Sequence, residues 1–200
     1  MIAPEVKFAV FSKNPFFVSR GYGGKLKDVI VDETNHEPDE VGDEPLLLAK
    51  EAPVVVNHKR FDAAQKAVEN GADVIIMDDG FQNPQLFKDK SLLVIDGNVG
   101  MGNLFPIPAG PMREFLSSGL KRAQGIAIIG EDKTNILPKL GNLPVFRGDI
   151  VTFLPNDANL NAIAFAGIGR PEKFYASLEK CGVNILKKID FSTLIKNLDN

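Results

Sequence analysis

The chain has 200 residues, 44% hydrophobic and 24% charged, with a formal net charge of −3, two histidines and one cysteine. Its length suggests one or two domains, and a chain of this size buries about 70% of its unfolded surface, enough for a core without disulfide or metal staples. Composition near the globular average excludes the disordered and fibrous classes.

No apolar run reaches the roughly 18 residues of a membrane span, and the first residues lack the apolar stretch of a signal peptide. Cys181 alone excludes an internal disulfide and fits a reducing compartment. His36 and His58 leave no His/Cys zinc cluster. The charge is uneven. Residues 1–100 hold 11 basic and 17 acidic side chains, and eight carboxylates with no Lys or Arg lie between Asp28 and Glu44. Nothing resembles the basic stripe of a nucleic-acid binder, so no nucleic-acid partner is expected.

In chain order, Pro15-Phe16-Phe17-Val18 leads into Ser19-Arg20-Gly21-Tyr22-Gly23-Gly24. A short helix over 45–52 precedes Val54-Val55-Val56. A helix over 61–70, stopped by Gly71, precedes Val74-Ile75-Ile76-Met77, which ends at Asp78-Asp79-Gly80. Leu92-Leu93-Val94-Ile95 ends at Asp96-Gly97. Pro111 opens a helix predicted over 111–123, before Ile126-Ala127-Ile128-Ile129. Past the turn-forming Leu154-Pro155-Asn156-Asp157, a candidate domain boundary, Ile163-Ala164-Phe165-Ala166 ends at a glycine turn. A helix over 171–181 follows, with Phe174, Leu178 and Cys181 on one apolar face. Continuous rather than alternating apolar runs mark strands buried on both faces. Their alternation with helices predicts a doubly wound, mostly parallel α/β sheet. Ligands in such sheets bind beyond the carboxyl ends of the strands. Residues 161–182 open a second α/β unit, unless they extend the first sheet.

Asp78-Asp79 places two adjacent carboxylates at the end of an apolar strand. This is the Walker B arrangement, in which one Asp holds Mg²⁺ directly or through water. Asp-Asp-Gly is also good turn chemistry. The accompanying phosphate cradle, Gly-x₄-Gly-Lys-Ser/Thr, is not found: the Gly24-Lys25 pair is followed by Leu26 and preceded five positions earlier by Ser19. Gly21 and Gly23 form a turn that suits close approach of a ligand. Asp43 and Glu44 stand just before Pro45, as helix-capping charges or as carboxylates that accept a substrate proton or support Mg²⁺. Arg113-Glu114 lies on the predicted first turn of the 111–123 helix. Arg60 is a surface charge or a phosphate contact.

Six segments, taken in order, resemble the tetraacyldisaccharide 4′-kinase family of lipid A biosynthesis. They are Ser19–Gly24, the Gly42-Asp43-Glu44-Pro45-Leu46-Leu47-Leu48-Ala49 stretch, Val54–Val56 with Arg60, Asp78-Asp79-Gly80-Phe81-Gln82, the Pro108-Ala109-Gly110-Pro111-Met112-Arg113-Glu114 stretch, and Ala164–Pro171. The resemblance implies a P-loop kinase core over residues 1–155 and a partial C-terminal α/β domain over 156–200. It implies transfer of the γ-phosphate of ATP, with Mg²⁺, to the 4′-hydroxyl of an acylated glucosamine disaccharide 1-phosphate. The setting it implies is the cytoplasmic face of the bacterial inner membrane. Asp78 and Asp79 would be the Walker B carboxylates, Glu114 a further Mg²⁺ ligand, and Asp43, beside Glu44, the base for the sugar hydroxyl. Arg60 and Gln82 would line the site, with Gly21 and Gly23 in its turn.

The family pattern places a Walker A loop, a first helix and a membrane-contacting helix before the Ser-Arg-Gly-Tyr-Gly-Gly strand. Here 18 residues precede Ser19 and hold no glycine. The family also continues to a histidine that pairs with the catalytic aspartate, whereas no histidine follows His58, and Asn83 stands where histidine is frequent. The expectation is therefore a chain without the Walker A unit that turns over ATP slowly or not at all. The alternatives are a non-catalytic remnant that binds the lipid head group or a partner, and an unrelated nucleotide-binding protein whose Asp78-Asp79 is only a turn.

Overall fold

The computed structural model describes residues 13–152, 154, 160–168 and 171–190. Among these, the chain falls into two compact units that part between Asp149 and Ile150. Residues 155–157 of the candidate boundary, and Gly169-Arg170 of the last family-like segment, lie outside the described residues.

The larger unit contains two sheets. In the first, β1 (Pro15–Ser19), β3 (Val54–Val56) and β4 (Val74–Met77) run parallel with β1 between the other two, and β2 (Val29–Ile30) pairs antiparallel with β3. Ser19 stands opposite Val56 and Val18 opposite Met77, so the three parallel strands end almost level. Both faces are covered. On one, Ala63 and Ala67 of α3 (Arg60–Glu69) pack on Phe16, Val18 and Val55. On the other, Val41 of α1 (Pro38–Val41) and Leu46 and Leu48 of α2 (Asp43–Ala49) pack on Phe17, Val54 and Val56. Small alanines on α3 let the helix lie close to the β-branched side chains, and α3 gives way at Gly71, whose φ of +90° suits glycine.

The second sheet holds β5 (Leu92–Asp96), β6 (Gly125–Ile129) and β7 (Val145–Gly148), all parallel. Ile95, Ile126 and Ile128 pack with Ile136 and Leu140, backed by Leu116 and Leu120 of α4 (Leu116–Leu120). In the smaller unit β8 (Asn161–Ala166) and β9 (Asn184–Asp190) form a parallel pair joined through α5 (Pro171–Lys180). Ala164, Ala166 and Tyr175 are its core, with Phe174 and Leu178 packed against them.

The α/β architecture and the mostly parallel pairing agree with the sequence reading, but the strands of the larger unit form two sheets rather than one. The β8–β9 pair is a sheet of its own, so it does not extend the first. The helix expected over 111–123 is corrected to Leu116–Leu120. Met112 is the reason: its N–H donates to the Phe105 carbonyl, and its own carbonyl accepts from Ile107 N–H. Residues 105–112 thus close on themselves, with Asn103 bracing the turn through the Ala109 carbonyl, and no helical ladder can start there. Cys181 is half-buried outside the α5 core; its thiol donates to the Thr152 carbonyl, 3.1 Å away. No described helix is long and apolar enough to cross a membrane.

Candidate active site

The level ends of β1, β3 and β4 gather the candidate residues. Asp78 directly follows β4, and its N–H still donates to the Val18 carbonyl, continuing the ladder by one residue. Its Oδ2 accepts a 3.0 Å hydrogen bond from the Ser19 hydroxyl at the end of β1. Asp79 then turns away with φ of +46°, a left-handed conformation that Asp tolerates. Gly80 follows where an added Cβ would stand 2.5 Å from that of Met77. The Asp-Asp-Gly sequence is therefore a turn, and it sets Asp78 beside Ser19 and Asp79 beside Arg113 at one strand end.

Asp43 and Glu44 reach the same end through a contact between glycines. Gly21, at φ of +64°, lies so close to Val56 and the Val41 carbonyl that no Cβ fits, and a Cβ on Gly42 would stand 2.7 Å from the Tyr22 carbonyl. The β1 turn and the α1–α2 junction thus touch backbone to backbone. Helix α2 begins at Asp43, not Pro45, and Gly42 occupies the N-cap, so neither acid is the capping residue. Both lie in the first turn, where negative charge is favoured. Partial burial, and then the nearby carboxylates of Asp78, Asp79 and Asp43, push the Glu44 carboxyl above its ordinary range. Gly23 needs its glycine for φ of +82° alone, since nothing lies within 4 Å of its Cβ position.

Arg60 is 2% exposed, so it is not a surface charge. As the first residue of α3, it donates from its backbone N–H to Gln85 Oε1 and from Nη2 to the Asp78 carbonyl, at 3.1 and 2.6 Å. Its Nε and Nη1 are buried with no partner among the described residues. Burial and then the Arg20 charge lower its pKa, against the pull of Asp78 and Asp79. A buried guanidinium with two idle donors makes a place that an anion would complete.

Gln82 and Glu114 meet each other, Gln82 Nε2 donating to Glu114 Oε1 at 3.1 Å. Arg122 also binds that oxygen, at 2.6 Å, and this bond is the main cause of the lowered Glu114 pKa. Both oxygens of Asp79 accept from the single Arg113 Nη1, at 3.0 and 2.9 Å. Asp78, Asp79, Gln82 and Arg113 line a cleft of about 1120 Å³ that runs between β4 and residues 86–94. Sequence reading missed Ser19, Arg113 and Arg122 as partners of the acids. For Ser19 a signal existed: a single hydroxyl ending an otherwise apolar strand.

The donors at the strand ends are carboxylates and a hydroxyl, the hard oxygens that suit Mg²⁺, which keeps most of its waters and needs one or two carboxylates from protein. Asp78 suits that role by its chemistry, and Asp79 does so once Arg113 releases its oxygens. Among the described residues no three acidic, His or Cys side chains converge as a complete metal cage, and Glu114 is turned to Arg122 and Gln82. For a nucleotide the fit is partial: Arg60 offers buried donors, while the 200 residues hold no Gly-x₄-Gly-Lys-Ser/Thr.

Mostly parallel α/β sheets with paired carboxylates just beyond a strand's carboxyl end define an α/β fold that carries its candidate ligand site at the strand ends. The model of the tetraacyldisaccharide-1-P 4′-kinase family matches residues 8–193. The tetraacyldisaccharide 4′-kinase of Rhodospirillum centenum is 46% identical over 179 residues, covering 87% of this chain and 53% of the relative. That of Paramagnetospirillum magneticum is 48% identical over 177 residues, covering 86% and 54%. The crystal structure of LpxK from Aquifex aeolicus, in complex with ATP, superposes with a TM-score of 0.69 at 27% identity, over 89% of this chain and 61% of that one. The chain belongs to the tetraacyldisaccharide-1-P 4′-kinase family. It spans about half the length of the curated relatives it matches.

Proposed function

We propose that this chain carries the carboxylate side of a kinase site that phosphorylates the 4′-hydroxyl of an acylated glucosamine disaccharide 1-phosphate from ATP, in lipid A biosynthesis. The work is done at the cytoplasmic face of the bacterial inner membrane, where the acyl chains of such a substrate reside. Residues 1–155 serve the kinase core and 156–200 open a second α/β domain.

Asp43 accepts the proton of the 4′-hydroxyl as its oxygen attacks the γ-phosphorus and the bond to the β-phosphate oxygen breaks. Glu44, kept easier to protonate than an ordinary carboxyl by partial burial and then by its acidic neighbours, stands beside it as a proton store. Asp78 and Asp79 would hold Mg²⁺, with Ser19 fixing the Asp78 rotamer and Glu114 as a further ligand. Magnesium supplies neutralisation of the charge on the transferring phosphoryl oxygens. Arg60 offers Nε and Nη1 to phosphate oxygens, Gln82 orients Glu114 in the wall, and Gly21 and Gly23 let backbone approach the ligand. Phosphoryl transfer needs positioning and charge neutralisation more than covalent chemistry, and these residues supply both. The observation that carries the reading is the glycine contact that brings the first turn of α2 to the Asp78-Asp79 strand end.

A second reading draws on the buried, unpartnered Nε and Nη1 of Arg60: the 200 residues hold the disaccharide head group without chemistry. One pair of measurements separates the two. Purified chain is incubated with labelled ATP, Mg²⁺ and tetraacyldisaccharide 1-phosphate, and head-group binding is measured alongside. Phosphorylation that falls about 10³-fold or more in Asp43→Asn and Asp78→Asn supports the kinase reading. Binding without turnover supports the second. Binding of neither disaccharide nor Mg²⁺ overturns both.

A further inference from the structure

We infer that the cleft between β4 and β5 is a slot for one further β-strand, supplied by polypeptide from the part of the relatives that this chain does not match. The inference does not depend on the kinase reading of the strand ends.

The first sheet ends at β4 and the second at β5, and no described strand pairs with the outer edge of either. Both strands line the same cleft, of about 1120 Å³, and they do so through consecutive residues, Val74 to Met77 and Leu92 to Val94. Successive side chains of a strand point to opposite faces, so a wall of consecutive residues is a strand edge and not a sheet face. The backbone bonds agree. Val74 and Asp78 donate to the Asn14 and Val18 carbonyls on the β1 side, so Ile75 and Met77 turn their N–H and C=O outward. The Ser91 carbonyl accepts from Gln124 N–H, and Gly97 N–H donates to the Ile129 carbonyl, both on the β6 side. Leu92 and Val94 are therefore turned outward as well.

The layers that cover the first sheet continue past β4. Ala64 and Val68 of α3 line the cleft, and so does Leu48 of α2, which packs on the opposite face of the sheet. Even so, β4 is only half-buried at all four positions, whereas β3, with a strand on each side, is fully buried. Helices in place over an unpaired edge leave room for extended backbone and for apolar side chains on both of its faces. Such backbone bonds on both of its own edges, which is what two facing rows of outward N–H and C=O groups require. A second copy of this chain cannot supply it, because every described strand is already paired on at least one edge. The chain spans about half the length of its curated relatives, and the occupant is a continuous apolar run from their unmatched part.

The test measures backbone amide exchange by NMR in the 200-residue chain, alone and co-expressed with each stretch of the Rhodospirillum centenum relative outside the 179-residue match. Alone, the Ile75, Met77, Leu92 and Val94 amides are expected to exchange about tenfold or more faster than those of Ile76 and Leu93. One stretch is expected to bind and erase that alternation. Val94→Pro removes an outward N–H from an exposed site and keeps the bonds to β6, so it is expected to weaken that binding about tenfold and leave the melt of the chain alone nearly unchanged. If the four amides are already as slow as Ile76 and Leu93 in the monomeric chain, the edges are satisfied and the inference is overturned. It is also overturned if no stretch slows the four, or if Val94→Pro binds as well as the unsubstituted chain. Slowing that follows the concentration of this chain alone would give the edges to a second copy and overturn the assigned occupant. None of these outcomes bears on the phosphorylation measurement, so the two readings fail separately.

Discussion

The two sheets of the larger unit are built from similar sequence and end in different environments. Val54, Val55 and Val56 of β3 are all fully buried, because α3 covers one face and α1–α2 the other. In the second sheet Ile95, Ile126 and Ile128 are buried on one face, while Leu92, Val94 and Phe146 are exposed. The contrast separates scaffold from composition. The first sheet holds its strand ends level between two covered faces, and the candidate catalytic side chains stand on those ends. The second supplies Glu114 and Arg122 from connections between its strands, where position depends on side-chain pairs.

The largest expected effect comes from placing one charge in each sheet. Val55→Asp puts an unpaired carboxylate where neither face has water, at a cost of several kcal/mol, comparable with the whole stability of a typical domain. Val94→Asp, at a site 66% exposed, is expected to change stability by no more than about 0.5 kcal/mol. Urea denaturation followed by circular dichroism reads both. Comparable losses would mean that the second sheet buries its outer face in solution.

A smaller effect sharpens the same contrast at two glycines of positive φ. Gly21→Ala meets Val56 and the Val41 carbonyl as well as the left-handed penalty, and is expected to cost about 3 kcal/mol. Gly141→Ala, with φ of +67° and open space around it, pays the conformational term alone, about 1 kcal/mol. Gly21→Ala also pushes the α1–α2 junction away from β1, so Asp43 and Glu44 leave the Asp78 end. Thermal melting gives the two costs. Equal losses at both glycines would show that the β1 turn and α1–α2 are not in tight contact.

The same comparison explains what could be read from the sequence. Continuous apolar runs bounded by polar or turn residues carry their own signal, so β1, β3, β4, β5, β6 and β8 were legible. Strands β2 and β7 were not: Val29-Ile30 is two residues long, and Val145–Gly148 is exposed at every position, held by pairing rather than pattern. The chemical types at the site were legible in Asp78-Asp79 and Asp43-Glu44. Their meeting was not, because it depends on Gly21 and Gly42 having no side chains, a property of two distant segments at once. The 111–123 helix failed for a related reason. Proline at a helix start is a local rule, and the bonds of Met112 to Phe105 and Ile107 close the segment before a helix can form.

The smallest effect is one of pH, at an aspartate in each region. In the first, Asp32 accepts from the Thr34 hydroxyl and amide and from Asn35, at 2.7, 2.9 and 2.6 Å. The Thr34 side-chain bond is the largest cause of a pKa lowered from 3.8 to about 2. In the second, Asp132 accepts from the amides of Ile136 and Leu137, at 3.0 and 3.1 Å, and the Ile136 amide is the main cause of its lowered pKa. Both carboxyls take up protons more readily in the unfolded chain. The stability they contribute is therefore present above about pH 4 and is lost as pH falls, for Asp32 through about 2. The consequences differ because Asp32 ties a loop to itself, whereas Asp132 holds Ile136, which is buried in the core of the second sheet beside Leu140. Asp132→Asn is expected to flatten the decline in stability below about pH 4 and to shift the methyl resonances of Ile136 and Leu140. Asp32→Asn should flatten it similarly while leaving those methyls in place. If Asp132→Asn leaves the acid limb unchanged, the second sheet draws its stability from packing alone, and the tie between its core and the 132–137 loop is incidental.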